Sequence, residues 1–141
     1  MKAIVHLNAP PKHILSRSVG EFSFDLPLPP SVNELYEVRT FKGKSGRGIT
    51  PVYKRWRDAA AILLMIEWRR AGRPIIDGRW GFEFRFGINR LSDITNLIKA
   101  AEDLLVKAKI TPGDQWMDDG RVVRDMGVPE SLVRIRVFSL E

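Results

Sequence analysis

Every second residue between positions 80 and 86 is aromatic, and no other feature limits the possible folds of this chain so strongly. Successive side chains of a strand point to opposite faces, so the rings would share one face and leave Glu83 and Arg85 on the other. Such a face indicates the inside of a sheet rather than a platform for stacking bases. We therefore predict a strand at residues 79–87 that carries these side chains into the core: Trp80, Phe82, Phe84 and Phe86.

Three further segments have the pattern of strands. Apolar and polar residues alternate at residues 21–28, and Pro29 ends this strand because proline cannot donate to a sheet ladder. Two short strands are predicted near the end of the chain, at residues 121–125 and 132–138, and the second alternates apolar residues with Arg134 and Arg136.

Two segments have helical spacing instead. Residues 51–70 form the first, which Gly72 brings to an end. Residues 93–108 form the second, with apolar residues at i, i+3, i+4 and i+7 and with Ser92 or Asp93 as the N-cap. The predicted inner face of the first helix consists of Trp56, Ala59, Ala60, Leu63, Leu64 and Ile66.

The order of these elements is β-α-β-α-β-β. That order predicts the α+β class: a single domain with a mixed sheet and two helices packed on it. The length of 141 residues suits one domain. We expect residues 1–20 to be an N-terminal extension, either a tail or an edge strand, and residues 21–141 to form the domain.

The segment at residues 39–48 combines positive charge with glycine and has too few apolar residues for a core. We predict a mobile, basic loop there. It is either a solvated linker or a flexible arm that closes over a phosphate backbone. In the second case the residues that contact DNA are Arg39, Lys42, Lys44 and Arg47.

Composition excludes several kinds of site. The chain has no cysteine, so it has neither disulfides nor a thiolate zinc site, and its two histidines make a histidine-rich metal site or a Ser-His-Asp triad improbable. The net charge of +6 favours a polyanionic partner, although solubility also explains many basic proteins. Because the sequence has neither a membrane-length apolar run nor a signal-peptide pattern, we expect a cytoplasmic protein without membrane contact.

Two acidic clusters have the chemistry that phosphodiester hydrolysis requires. Magnesium prefers carboxylate oxygens, and a bound metal holds the phosphate and activates water. Asp93 at a helix start, with Asp118 and Asp119 from a loop, would supply these oxygens. The ammonium group of Lys99, on the polar side of the same helix, would stabilise charge on the phosphate.

Each of these residues also has a purely structural interpretation. Asp93 would serve as an N-cap, residues 118–120 would form an Asp-Asp-Gly turn, and Lys99 would form an ion pair with Asp103. Trp116 beside the double aspartate would either face DNA or anchor its loop to the core, and we favour the anchor.

Three segments resemble the RusA family of Holliday-junction resolvases, which are common in bacteria and their phages. PLPPSVNELY is similar to the family's Pro-Pro-Ser-x-Asn opening, and SDITNLIKAAEDLL is similar to its Asp-x-Asp-Asn-x-x-Lys-x-x-x-Asp-x-Leu signature. WMDDGRVV is similar to its Asp-Asp-x-x-Val element. These segments occupy residues 27–36, 92–105 and 116–123.

The resemblance implies a RusA-like homodimer that uses Mg²⁺ or Mn²⁺ and nicks two strands of a four-way DNA junction symmetrically during recombination and repair. A two-fold dimer would present equivalent sites to a pseudo-symmetric substrate. By position, the family's metal-binding acids fall on Asp93, Asp118 and Asp119, with Asp93 and Asp119 counted as catalytic together with Lys99. The remaining matched polar residues are Asn33 and Asn96 as DNA contacts and Asp103 as the later helix acid.

The chain departs from this signature at Thr95, which stands where the family has its second aspartate. A hydroxyl is a poorer magnesium ligand than a carboxylate, so metal affinity should fall. Another acid would compensate, with Glu83, Asp114 and Asp125 as candidates, or activity would be weak. The alternative function is a dimer that binds junctions without cutting them.

Overall fold

The structure is a computed structural model that describes residues 17–88 and 94–141. Its two helices are α1 (Pro51–Arg70) and α2 (Lys99–Lys107), and 3-10 turns lie at Val32–Glu34, Ile94–Leu97 and Asp114–Trp116. The strands are β1 (Arg17–Ser18), β2 (Glu21–Pro27), β3 (Tyr36–Phe41), β4 (Lys44–Ile49), β5 (Pro74–Ile75), β6 (Trp80–Phe86), β7 (Met117–Arg124) and β8 (Leu132–Ser139).

The predicted α+β class is confirmed. The main sheet has the strand order β2-β8-β6-β7, in which β6 and β7 are parallel and the other neighbours are antiparallel. The four aromatic side chains of β6 are at most 3% exposed, and they line the face on which the helices pack, as the alternation predicts. The opposite face carries charged residues that pair across strands, such as Arg134 with Asp25 at 3.0 Å.

Helix α1 has the predicted bounds but a different inner face. Thr50 caps it by accepting a hydrogen bond from the Tyr53 backbone N–H, and Leu63 and Ile66 are 43% and 46% exposed. The reason lies in two indole groups, since Trp56 and Trp68 donate to the carbonyl oxygens of residues 27 and 74 at 3.0 and 2.7 Å. These bonds fix the rotation of the helix. The buried side chains are Tyr53, Trp56, Ala60, Leu64 and Trp68.

The second predicted helix begins later than expected. Residues 94–97 form a 3-10 turn, and α2 starts only at Lys99. Thr95 and Asn96 have short polar side chains that compete for backbone hydrogen bonds, which disfavours a continuous α-helix through this point. The predicted N-cap, Ser92 or Asp93, lies outside the described residues.

Residues 39–48, predicted as a mobile, basic loop, are not a loop, because β3 and β4 form a two-stranded antiparallel hairpin. Its turn consists of Lys42 and Gly43, whose φ angles of 51° and 76° are both positive. Two positive φ angles in succession are typical of the hairpin turns whose twist matches that of the flanking strands.

The first described residues are hydrogen-bonded to the domain. Strand β1 pairs with β5 in parallel, the Val19 N–H donates to the Ile75 carbonyl, and the Gly20 carbonyl accepts from the Ser139 N–H. Residues 17–20, which we expected to belong to an extension, thus contact the domain. Among the described helices, none combines the length and apolar character needed to cross a membrane.

Candidate metal and nucleic-acid site

The 3-10 turn at Ile94–Leu97 lies where three separate parts of the chain meet. It contacts the earlier turn at Val32–Glu34 and also strand β7. The sequence had marked these three segments independently: the first holds Asn33, the second Thr95 and Asn96, and the third the double aspartate. The fold therefore brings the two turns and strand β7 into contact.

Asp118 and Asp119 lie within strand β7, so their expected location in a loop or in an Asp-Asp-Gly turn is wrong. Trp80 pairs with Met117 and Gly81 pairs with Asp119, so Asp118 is an extra residue in a β-bulge. The sequence predicted a strand only at residues 121–125. Strand β7 begins earlier, at Met117, because its first residues pair with the buried strand β6. A bulge turns a side chain away from the regular alternation, and bulges are frequent beside active sites.

Both aspartates face solvent in part and pair with arginines. Arg79 Nη1 lies 2.8 Å from Asp118 Oδ2, and Arg121 Nη2 lies 3.7 Å from Asp119 Oδ2. Exposed pairs of this kind stabilise a fold by only about 0–1 kcal/mol. A cation could therefore displace either arginine at small cost, which leaves both carboxylates available as ligands.

The polar edge of α2 carries the predicted Lys99–Asp103 ion pair, with 3.0 Å between Nζ and Oδ1. The hydrogen bond to Asp103 raises the pKa of Lys99, so the ammonium stays charged throughout the physiological range. The negative charges of Asp114 and Glu102 also raise the pKa of Lys99. Asp114 belongs to the 3-10 turn that leads directly into β7, so this edge adjoins the strand of the double aspartate.

Lys99, Glu102, Asp103 and Asp114 form a cluster of charged groups at this edge of α2. The sequence did not single out Glu102 as a member of it. Burial is the main cause that raises its pKa to about 7, and a hydrogen bond with Asp114 and the charge of that residue add to the shift. Its only sequence signal was its place on the same turn of helix as Lys99 and Asp103.

We expect the free energy of unfolding to depend on pH because the pKa of Glu102 is raised beside Asp114. The carboxyl pKa of Glu102 is about 7 in the folded chain against an ordinary 4.5. The folded state thus holds an extra proton between these values, and stability falls as pH rises through that window. Glu102→Gln should raise the free energy of unfolding at pH 8 by about 1 kcal/mol, after allowance for solvent screening of a half-buried group.

Denaturant unfolding of both proteins at pH 5 and pH 8 measures this effect. Glu130→Gln, the same change at an exposed turn residue, is the control and should leave stability unchanged at both values. A Glu102→Gln variant that gains no stability over wild type at pH 8 would contradict the assignment.

Of the three acids considered as substitutes for the missing carboxylate, only Asp114 belongs to this cluster. Glu83 and Asp125 both pair with Arg85, at 2.6 and 3.1 Å, on the charged face of the sheet. Asp125 also accepts from the Gly127 N–H, and this bond, with the pair to Arg85, lowers its pKa. These two acids are therefore engaged elsewhere.

The turn that holds Asn33 is fixed by its own polar groups. Ser31 Oγ accepts from the Asn33 N–H at 3.2 Å, and the Thr50 hydroxyl donates to the Glu34 carbonyl. Leu35 is fully buried beneath the turn, whereas Asn33 is exposed. The serine of this Pro-Pro-Ser-x-Asn segment thus shapes the turn, and the asparagine side chain faces solvent.

Trp116 is 49% exposed, so the expectation that it anchors its loop to the core is wrong. Trp80 performs that function instead, because its indole N–H donates to the Gly113 carbonyl at 3.3 Å. Trp116 therefore presents an aromatic surface two residues before Asp118, the first residue of the double aspartate.

The four cations of the hairpin do not share one environment. Arg39 Nη2 lies 2.9 Å from Glu37 Oε1 and donates to the Ile49 carbonyl at 2.9 Å. Arg47 lies on the opposite face of the hairpin, since it pairs with Val38 rather than Arg39. Its guanidinium carbon is 4.8 Å from the centre of the Tyr36 ring.

Asp93, the first predicted metal ligand, lies outside the described residues. Within residues 17–88 and 94–141, no three histidine, cysteine, aspartate or glutamate side chains are close enough together to hold a metal ion.

No protein-family model matches this sequence, and no curated protein is similar to it at a significant level.

Proposed function

We propose that this protein is a magnesium-dependent endonuclease that cuts branched DNA, with a four-way junction as its substrate. The observation that supports it best is the meeting of three segments at the Ile94–Leu97 turn. These are the same segments that resemble the RusA family. A chance likeness in three separate segments gives no reason for them to adjoin in space.

The side chains suit this chemistry. Asp118 and Asp119 would hold the metal together with Asp93, and a bound magnesium ion would position the phosphate and activate a water. Lys99 keeps its charge and would stabilise the negative charge that develops on the phosphate. Manganese would bind the same oxygen ligands. We further propose a homodimer, because paired nicks across a junction need two equivalent sites.

A labelled four-way junction tests the proposal. Wild-type protein with magnesium or manganese should give two symmetric nicks and leave linear duplex of the same length intact. An intact junction across a broad range of metal concentration and pH would defeat the enzymatic proposal.

The second candidate is a dimer that binds junctions without cutting them. Thr95 favours it, because this residue is exposed within the central turn and carries a hydroxyl where a carboxylate would complete the ligand set. Binding of this kind would depend strongly on salt and would persist without metal.

Thr95→Asp separates the two candidates. A carboxylate at this position should tighten magnesium binding, so we expect cutting at limiting magnesium to rise by about tenfold, which corresponds to about 1.4 kcal/mol. Thr95→Asn is the matched control, since it has nearly the same size and no charge. Equal rates for the two variants would show that the missing carboxylate does not limit activity.

A further inference from the structure

We propose that the β3–β4 hairpin and the start of α1 form a preformed ridge that binds the phosphate backbone of a DNA arm, with Arg47 as its main contact and Tyr36, Tyr53 and Arg57 as its support. This inference rests on the proposed function, because it names the surface that would hold the substrate. The ridge is tested by DNA affinity measured without metal, whereas the proposed function is tested by cutting with metal. The two proposals can therefore fail separately.

The ridge is a row of stacked charged and aromatic groups. Arg47 lies 4.8 Å from the Tyr36 ring centre, and the Tyr36 ring meets the Tyr53 ring edge to face at 6.0 Å. Arg57 lies 5.8 Å from the Tyr53 ring centre. A guanidinium that rests on a ring keeps its N–H edge directed outward and loses little side-chain entropy when it binds a phosphate.

The support beneath the row is rigid. Tyr53 is 6% exposed and belongs to the buried face of α1, so it holds the Tyr36 ring from below. The Leu35 carbonyl accepts from the Thr50 N–H at 3.0 Å, which ties the start of β3 to the end of β4. Arg47 is thus placed by the core of the domain and not only by its own hairpin.

The hairpin carries Lys44 and Arg47 as exposed cations beyond this support. Among the described strands it pairs with no other, and Val38 beside Arg47 is 76% exposed. Within the described part of the chain, Lys44 and Arg47 form no ion pair. Arg39, by contrast, lies on the other face and is neutralised by Glu37. Strands of this length extend about 20 Å, enough to follow several consecutive phosphates.

The ridge leads toward the candidate site. Burial is the main cause that raises the pKa of Tyr53, and the next is the charge of Asp103, with a smaller opposing effect of Lys99. Helices α1 and α2 are in contact, so the helix that carries Tyr53 adjoins the helix that carries Lys99 and Asp103. A duplex arm held along the ridge would pass from the hairpin to the polar edge of α2.

Two arginines on the same hairpin provide the decisive comparison. Affinity for a four-way junction is measured in EDTA, so that cutting plays no part, over a range of salt concentrations. Arg47→Ala should weaken binding by about tenfold and lower the salt slope by about one phosphate contact. Arg39→Ala should weaken it by about threefold or less, although the change in net charge is the same.

Two further variants complete the experiment. Tyr36→Leu keeps the charge but removes the ring, and it should weaken binding by about threefold or more. Arg69→Ala, near the far end of α1 and about 18 Å along the helix from Arg57, should leave affinity unchanged. Thermal unfolding of each variant checks that the fold is retained.

The possible results separate the two proposals. Equal losses for Arg47→Ala, Arg39→Ala and Arg69→Ala would overturn the ridge and indicate attraction by net charge alone. Wild type that binds the junction with this pattern but never cuts it would overturn the nuclease and leave the ridge in place. No binding to junction, duplex or single strand at low salt would overturn both.

Discussion

Asp119→Asn should lower the rate of junction cutting by about two orders of magnitude or more, because a bound metal supplies several kcal/mol of transition-state stabilisation and an amide is a poor magnesium ligand. The amide has nearly the size of the carboxylate, and the pair with Arg121 is exposed and long, at 3.7 Å. The fold should therefore be unaffected. Affinity for the junction in EDTA should stay the same or rise slightly, since a negative charge near phosphate has been removed.

Single-turnover cutting with excess protein measures this change. Asp25→Asn is the matched control, because Asp25 is also a strand aspartate that pairs with an arginine, Arg134, at 3.0 Å, and it lies on the charged face of the sheet away from the proposed site. Control and wild type should cut at the same rate. An Asp119→Asn variant that cuts within a few-fold of wild type would remove Asp119 from the metal site.

Gly87→Ala should destabilise the fold by about 3 kcal/mol or more, since overpacking against rigid backbone cannot be relieved by a rotamer change. A Cβ atom at Gly87 would lie 1.6 Å from the Val128 carbonyl oxygen and 2.7 Å from its carbonyl carbon. The turn at residues 125–128, which faces Gly87, is itself held in place. The Asp125 N–H donates to the Phe86 carbonyl at 2.8 Å, and Val128 is buried.

Denaturant midpoints with an unchanged slope measure this loss. Gly20→Ala is the control, because nothing lies within 4 Å of a Cβ built there, and it should change stability little. Because β6 ends at Phe86 and the chain then continues toward Asp93, Gly87→Ala should also reduce cutting in whatever fraction remains folded. A stable Gly87→Ala variant would mean that the turn at residues 125–128 moves away at low cost.

The local patterns in the sequence were sufficient for the elements whose one face is buried. The alternation in β6 and β2 and the bounds of α1 were predicted correctly, because a hydrophobic side must be buried and its period reveals the element. Asp118, Asp119 and Lys99 could also be identified as candidates from the sequence, because their side-chain chemistry suits metal and phosphate binding. Their positions in the strand, turn and helix were less well predicted, since propensity is weak for short polar segments such as 94–97.

The sequence by itself determined the class of fold, the candidate acids and Lys99, because these follow from period and chemistry along the chain. Only the tertiary structure decided three things: that residues 39–48 form a hairpin, that Asp118 lies in a bulge of β7, and that Glu102 meets Asp114. Each of these depends on a contact between segments distant in sequence. Strand pairing and partial burial are properties of both partners, and neither partner's own residues specify them.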